Sequence, residues 1–253
     1  MKRLALGKLL GLLLLSALAL QGFFAARIAL MAVVDPQSTT FQRSEAWRLL
    51  TEQHRIDWAQ DWRDDISPQL ARAVIASEDA GFVDHSGVEW DALEKAWNRN
   101  QQAEARAERQ NDAAERRAAA KGAAPARKVE AKVVGGSTIS QQLAKNLFLS
   151  GERTAPRKAQ EFVITYMLEL ILGKRRLLHL YLNSVEWGEG VFGAQAAARH
   201  YFRVDARQLS AAQAARLAVM LPAPKRFEKN PGSAYVSGRS ATILARMGAV
   251  QLP

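Results

Sequence analysis

Polar and apolar residues separate sharply at the start of the chain. Three basic residues lie within the first eight positions, the stretch 9–26 has no charged side chain, and after Arg27 apolar residues continue to Val34. About 20 apolar residues cross a bilayer as a helix, and positive charge at one end tends to remain cytoplasmic. The pattern therefore predicts a cytoplasmic basic tail over residues 1–8, a single transmembrane anchor over 9–34 and a remainder outside the membrane.

A cleaved signal peptide is the alternative interpretation of this segment. Ala17-Leu18-Ala19 has the small-x-small form of a cleavage site. The apolar run continues well beyond this tripeptide and is longer than a normal signal core, which favours the anchor. Both interpretations export the rest of the chain.

Beyond the anchor the pattern is mainly helical. Ser67 and Pro68 form an N-cap and a first turn, followed by an apolar face with Leu70, Val74 and Ile75. No stretch alternates with the period of two that strands require. We predict a mainly α fold with a linker over 35–46, one domain over 47–250, and further helices over 137–149, 154–173, 174–183, 210–220 and 234–247.

Residues 99–132 differ in kind from their surroundings. They are largely Ala, Arg, Glu, Gln and Lys, with almost no large apolar side chain. Such a segment cannot cover a core, so we expect an insertion within the domain that is either a solvated helix or disordered. Its basic residues could touch anionic lipid, and a plain solvated tether is the alternative.

Three groups of polar residues are candidates for chemistry. Glu78 and Asp79 are adjacent carboxylates at a predicted helix end, where such residues are usually solvated; apolar neighbours could instead give one of them the raised pKa of a general base. On the helix after Gly136, one face is polar and the other apolar, which fits a solvated surface or a ligand-facing stripe. The polar face holds Thr138, Gln141, Gln142 and Lys145, and the third group is Arg157, Lys158 and Glu161, spaced so that two cations flank one carboxylate.

Composition narrows the choice of function. The chain has 35 Lys+Arg against 25 Asp+Glu, a net charge of +10, which suits an anionic membrane surface or an anionic substrate. It contains no cysteine, which excludes a disulfide framework and a thiolate zinc site. The four histidines have no metal-ligand spacing, and no nucleic-acid-binding motif accompanies the basic charge, so nucleic acid is not expected as a partner.

Five ordered blocks of the sequence, within a stretch from about Trp47 to Met247, belong together. They are Ala76-Ser77-Glu78-Asp79-Ala80-Gly81-Phe82 with His85-Ser86-Gly87; Gly135-Gly136-Ser137-Thr138-Ile139-Ser140-Gln141-Gln142-Leu143-Ala144-Lys145-Asn146; Arg157-Lys158-Ala159-Gln160-Glu161; Tyr181-Leu182-Asn183 through Tyr201-Phe202; and Leu221-Pro222-Ala223-Pro224 with Arg239. These blocks resemble the signatures of the family 51 peptidoglycan glycosyltransferases, in particular the monofunctional biosynthetic type.

This resemblance implies a lysozyme-like, two-lobed glycosyltransferase domain that polymerises lipid II. The acceptor would be the GlcNAc of lipid II and the donor the growing glycan chain on undecaprenyl pyrophosphate, joined by a β-1,4 bond with inversion. The catalytic residues implied by the match are Glu78 and Glu161. Glu78 would be the general base, and Glu161 would orient nearby cations or hold a divalent cation (Mg or Mn). The match does not itself require a cofactor. Substrate-binding positions implied by the match are Lys145, Arg153, Arg157, Lys158, Gln141, Gln142, Ser137, Thr138, Asn146 and Asp79.

The resemblance also implies a place in the cell. The domain would face the periplasm from the bacterial inner membrane, in contact with membrane lipid and with cell wall synthesis proteins. The motifs Ser-x-x-Lys and Lys-Thr-Gly of a transpeptidase are absent from the sequence, so no such activity is expected. Gln160 departs from the family pattern, where many members have lysine, and Glu89 stands where aspartate is common.

Two other functions remain open at this point. A lysozyme-like hydrolase that cuts glycan would also use a glutamate, but it needs neither the anchor nor the cationic segment from Lys145 to Lys158. A non-catalytic membrane scaffold would have no need for both Glu78 and Glu161.

Overall fold

The computed structural model describes residues 2–120, 128–131, 135–149, 151–152 and 154–253, with side chains from residue 7 onward. Over these ranges the chain is mainly helical, as predicted. The helices are α1 Lys2–Leu30, α2 Thr40–Gln53, α3 Pro68–Glu78, α4 Trp90–Ala120, α5 Ile139–Phe148, α6 Ala155–Ile171, α7 Lys174–Ser184, α8 Ala194–Phe202, α9 Ala211–Met220, α10 Pro224–Phe227 and α11 Ala234–Arg246.

A small sheet accompanies the helices and was not predicted. Its strands are β1 Ala59–Gln60, β2 Glu186–Gly188 and β3 Val191–Phe192, in the order β1-β3-β2. β1 runs parallel to β3, and β2 runs antiparallel to it with an irregular register. Strands of two or three residues are too short to produce an alternating pattern, so no pattern in the sequence indicates them.

The chain divides into two compact units. The first contains residues 1–87 and 139–253, and the second contains 88–138. In the first unit, α3, α9 and α11 pack together, as do α5, α6 and α7. Its largest fully buried side chains include Trp187, Tyr181, Phe82 and Phe192. This core holds α3 and α6, which carry Glu78 and Glu161, the candidate catalytic residues.

The second unit is dominated by α4, which covers most of the predicted insertion. Most of its side chains are exposed, so the solvated helix is the correct alternative for residues 99–120. Asn111 on α4 binds both backbone groups of Val129, accepting from its N–H at 2.7 Å and donating to its carbonyl at 3.0 Å. The remaining insertion residues 121–127 and 132 lie outside the described ranges.

The anchor is a single helix in which residues 7–30 form a span of 24 residues with a mean hydropathy of 2.1. At 1.5 Å per residue this span is long enough to cross a bilayer. The helix ends at Leu30, before the predicted limit at Val34, and a turn follows. Its end packs on the domain, since Ile28 and Met31 are buried and Arg176 Nε donates to the Met31 carbonyl at 2.7 Å.

The segment expected to be a linker is partly helical. α2 begins at Thr40, and Thr39 caps it in a reciprocal capping box with Gln42. Thr39, Gln42 and Glu45 are buried. Residues 40–46 therefore pack against the rest of the first unit.

Candidate active site

Glu78 is the last residue of α3 and lies where α3 meets α5. Its Oε2 accepts a hydrogen bond from Gln142 Nε2 at 3.1 Å, and its Oε1 accepts a weaker one from Ser77 Oγ at 3.4 Å. The side chain is only partly buried. A carboxylate in this position is held in place and yet remains within reach of a ligand.

Tyr181 fixes the orientation of the amide that holds Glu78. The Tyr181 hydroxyl donates to Gln142 Oε1 at 2.9 Å, which directs Gln142 Nε2 toward the carboxylate. A buried tyrosine needs a partner for its hydroxyl, and Tyr181 is fully buried on α7. The three residues form a chain of hydrogen bonds from the core to the candidate base, called the Gln142–Tyr181 relay below.

The surroundings of Glu78 raise its pKa. Burial is the main cause, and the charge of Asp79 adds to it. The hydrogen bonds from Gln142 and Ser77 and the positive charge of Arg239 on α11 act in the opposite direction, without cancelling the rise in the pKa. A carboxylate with a raised pKa is a stronger base once it is ionised.

Asp79 braces the site instead of facing a ligand. Its side chain is fully buried, Oδ1 lies 2.8 Å from His85 Nε2, and Oδ2 accepts the backbone N–H of Ile139 at 2.9 Å. Since His85 Nδ1 accepts from Gly87 N at 3.1 Å, the hydrogen of the neutral ring is on Nε2 and is donated to Asp79. The sequence had placed Asp79 among the substrate-binding residues, but both of its oxygens are engaged with the protein.

The third predicted group is assembled on the first two turns of α6. Glu161 is buried, its Oε2 lies 2.8 Å from Arg157 Nη1, and its Oε1 pairs with Lys158. Lys158 also lies over the ring of Phe162, with Nζ 4.8 Å from the centroid. Two cations are thus positioned by one carboxylate, as their spacing predicted.

This arrangement does not fit a divalent metal at Glu161. Both carboxylate oxygens already contact cations, and a metal there would have to displace them. A different trio, Asp35, Asp64 and His179, has ligand atoms within 4.8 Å of one another. There Asp35 pairs with Arg176 at 2.7 Å and His179 Nε2 accepts from Trp62 at 3.2 Å, so two of the three ligand groups already have protein partners, while the Asp64 side chain is exposed.

The other predicted site residues fall into three sets. Lys145 is exposed on α5, whereas Gln141 and Asn146 are buried there. Ser137 and Thr138 belong to the second unit, the former exposed and the latter buried. Arg153 lies outside the described residues.

Gln160, where many family members have lysine, contacts the anchor. Its side-chain amide exchanges hydrogen bonds with that of Gln21 on α1, at 2.8 and 3.0 Å. The departure from the family pattern therefore coincides with a contact between the anchor and the helix that carries Arg157, Lys158 and Glu161.

Comparison with known proteins identifies the family of the chain. The sequence model of the transglycosylase family matches residues 48–110 and 102–248. The chain is 48% identical over 239 residues to the biosynthetic peptidoglycan transglycosylase of Paraburkholderia xenovorans, a match covering 93% of this chain and 88% of that one. It is 47% identical over 223 residues to the protein of the same name from Bordetella avium, covering 87% and 83% of the two chains.

The chain belongs to the biosynthetic peptidoglycan transglycosylase family. This confirms the resemblance drawn from the five sequence blocks, and it makes the chain a glycosyltransferase of cell wall biosynthesis. Within this transglycosylase, two residues near Glu78 were quoted in motifs without a role. Tyr181 could have been noticed as a tyrosine within a leucine-rich helix face, where a hydroxyl needs a partner. No pattern in the sequence indicates that Arg239 affects Glu78, because this effect depends on how α11 packs on α3.

Proposed function

We propose that this transglycosylase polymerises lipid II into β-1,4-linked glycan strands and releases undecaprenyl pyrophosphate. The observation that carries the proposal is the Glu78 carboxylate, which has a raised pKa and is held by the Gln142–Tyr181 relay. A second support is the cationic pair on α6, Arg157 and Lys158, of the kind that binds pyrophosphate.

Glu78 acts as the general base. Its carboxylate takes the proton from the 4-hydroxyl of the acceptor GlcNAc as that oxygen forms a bond to the anomeric carbon of the donor MurNAc. The bond from the anomeric carbon to the pyrophosphate oxygen breaks on the opposite face, and its electron pair leaves with the pyrophosphate. The α linkage of the donor is thereby converted into a β-1,4 linkage.

The cationic residues stabilise the leaving group. Pyrophosphate needs little proton donation, but its developing negative charge must be compensated. Arg157 and Lys158 are held by Glu161, and Lys145 is exposed on α5. Arg157 offers a planar fork of donors, whereas the two lysines act as point charges. Arg153 is proposed for the same role from the family motif alone.

The anchor supports the same substrate. A lipid-linked donor remains in the bilayer, so an enzyme that uses it must work at the membrane surface. The basic residues at the start of α1, Lys2, Arg3 and Lys8, favour an orientation with the N-terminus in the cytoplasm and the domain on the periplasmic side of the inner membrane.

Polymerisation of fluorescent lipid II by the full-length protein in detergent tests the proposal. We expect the wild type to form long glycan and Glu78→Gln to form none, while the variant still binds a phosphoglycolipid inhibitor. Asp84→Asn is the matched control, because Asp84 is an exposed carboxylate shortly after Glu78. It should retain wild-type activity.

Further results test the role of Glu161 and distinguish the polymerase from a hydrolase and a scaffold. Glu161→Gln should weaken substrate binding, because it releases Arg157 and Lys158 from their shared partner, and should raise KM more than it lowers kcat. Wild-type protein that leaves lipid II untouched but shortens preformed glycan would contradict the proposal in favour of a hydrolase. Protein that does neither would favour a scaffold.

A further inference from the structure

A cavity of about 530 Å3 lies beside the small sheet, lined by residues of α2, the loop after it, the turn between β2 and β3, and residues 200 and 228. Small-molecule sites typically have volumes of a few hundred to about 1,000 Å3. Neither Glu78 nor the cationic residues of α6 contribute to its lining.

Trp58 forms an aromatic part of the cavity wall. The loop after α2 is drawn close to the sheet at Gly190, where φ is +72° and an added Cβ would lie 2.0 Å from the Asp57 carbonyl oxygen. The Trp58 ring stacks on that of Phe192 with the centroids 4.6 Å apart and an angle of 28° between the planes. Phe192 is fully buried, whereas Trp58 is 36% exposed. The Trp58 indole is thus held in place by Phe192 and remains partly exposed on the cavity wall.

Three carboxylates line the cavity with the indole, those of Asp57, Glu189 and Glu228. Glu189 Oε1 accepts from Gln53 Nε2 at 2.9 Å and is paired with Arg48 at 2.6 Å. Glu228 Oε2 accepts the backbone N–H of Glu189 at 2.8 Å, and its Oε1 lies 3.2 Å from His200 Nε2. Each carboxylate oxygen has more than one lone pair, so Glu189 and Glu228 keep the capacity to accept from a ligand while their position is fixed.

This combination selects a class of ligand. The three carboxylates disfavour an anion. Because Asp57 pairs with Arg55 at 2.9 Å and Glu189 pairs with Arg48 at 2.6 Å, the wall does not require a cationic ligand either. A pyranose ring presents C–H groups on one face, which pack on an indole, and hydroxyl groups at its edge, which donate to carboxylates. A neutral sugar therefore matches both features of the wall.

We propose that this cavity binds sugar units of the glycan strand outside the catalytic site. That the sugars are β-1,4-linked and N-acetylated rests on the proposed function, whereas the carbohydrate class rests on the cavity itself. A second contact with the strand would keep the product on the enzyme between additions.

Binding of chitotetraose, a tetramer of β-1,4-linked N-acetylglucosamine, tests the site. Full-length protein in detergent is titrated with the tetramer, with intrinsic tryptophan fluorescence and ligand-observed NMR as readouts. The Glu78→Gln background prevents turnover. We expect saturable binding that Trp58→Ala weakens about tenfold, the size expected for losing one aromatic contact.

Trp47→Ala is the matched control and should bind like the parent protein. Trp47 is an exposed tryptophan of α2 that does not line the cavity. Because Trp58→Ala also removes packing on Phe192, Glu228→Gln is a second test that keeps the shape of the wall, and it should weaken binding severalfold. Both variants are compared with the parent by thermal unfolding.

Three results would overturn this site. The first is no saturable binding by the parent protein, and the second is binding by Trp58→Ala and Glu228→Gln that is as tight as that of the parent. The third is displacement of the tetramer by a phosphoglycolipid inhibitor. The last would place the tetramer in the Glu78 site. Failure of the proposed function would be recognised separately, as absence of lipid II polymerisation by the wild type, and would leave the binding result intact.

Discussion

Gln21 and Gln160 bridge the membrane anchor and the helix that carries the cationic pair. The Nε2 atom of each donates to the Oε1 atom of the other, at 2.8 and 3.0 Å. Nearby, Phe24 packs edge-on against Phe148 with the centroids 5.5 Å apart. The anchor is therefore attached to the domain by specific contacts and is not a freely hinged tether.

Replacing one glutamine of this bridge should cost more than replacing both. Gln21→Leu leaves the partly buried amide of Gln160 without its partner and should lower the free energy of unfolding by about 1–2 kcal/mol. The double variant Gln21→Leu, Gln160→Leu removes both polar groups and should recover much of the loss. Thermal unfolding of the four proteins in detergent gives the coupling, and a double variant whose loss equals the sum of the single losses would refute the bridge.

Tyr181→Phe should reduce activity by loosening Gln142. Without the hydroxyl, Gln142 Nε2 is no longer held toward Glu78, and a bond that favours the charged carboxylate weakens. We expect kcat to fall about tenfold and the acid limb of the pH–rate profile to move to higher pH. Tyr166→Phe, at an exposed position of α6, is the control, and a profile that keeps its position in Tyr181→Phe would exclude the relay.

The pH dependence of turnover should report the ionisation of Glu78. Since burial and Asp79 raise its pKa, the rate should rise with pH, with a midpoint above 4.5, the ordinary value for this side chain. Arg239→Gln removes a positive charge that lowers this pKa, so it should shift the midpoint further upward. Arg246→Gln, on the same helix, should leave the midpoint in place, and equal midpoints in all three proteins would mean that another group limits the rate.

Glu186 should make the stability of the protein depend on pH. It is buried on β2 with Lys225 Nζ 3.5 Å from its Oε1, and burial raises its pKa to about 7, with the charge of Glu45 adding to the effect. The native protein holds this proton up to about pH 7, whereas the unfolded chain releases it near pH 4.5. The free energy of unfolding should therefore fall as the pH rises between these values, by an amount on the order of 3 kcal/mol.

Glu186→Gln isolates this effect because its amide does not ionise. The stability of the variant relative to the wild type should increase between pH 5 and pH 8, measured as the difference in Tm. Glu52→Gln, at an exposed position of α2, should show no such change. A difference that is independent of pH for Glu186→Gln would contradict the prediction.

The sequence predicted those parts of the structure that depend on local pattern. The long apolar N-terminal helix, the capped start of α3 at Ser67 and the capping box of Ser210 before α9 follow from spacing and residue type, and the structure confirms them. That this helix is a membrane anchor stays a prediction. The apolar stripe of α5 is likewise buried, with Ile139, Leu143 and Leu147 in the core. The motif resemblance added the family, which pattern alone does not provide.

What the sequence missed depends on contacts between distant segments. Asp79 looked like a ligand-facing acid because its partner Ile139 N–H lies 60 residues away. Gln160 looked like a missing cation because its partner lies on the anchor. Tyr181 and Arg239 act on Glu78 only after α7 and α11 have packed, so no local pattern indicates their effect.

The brace at Asp79 has a consequence for how the chain can vary. The chain leaves the first unit after Gly87 and re-enters it at Ile139. A continuous series of hydrogen bonds joins these two points, from Gly87 N through His85 and Asp79 to Ile139 N. The two points of the first unit that flank the 51 residues 88–138 are thus held together through Asp79, the chain neighbour of Glu78. The entropic cost of closing a loop grows only slowly with its length. These hydrogen bonds therefore allow the segment 88–138 to be lengthened or shortened while the geometry around Glu78 stays the same.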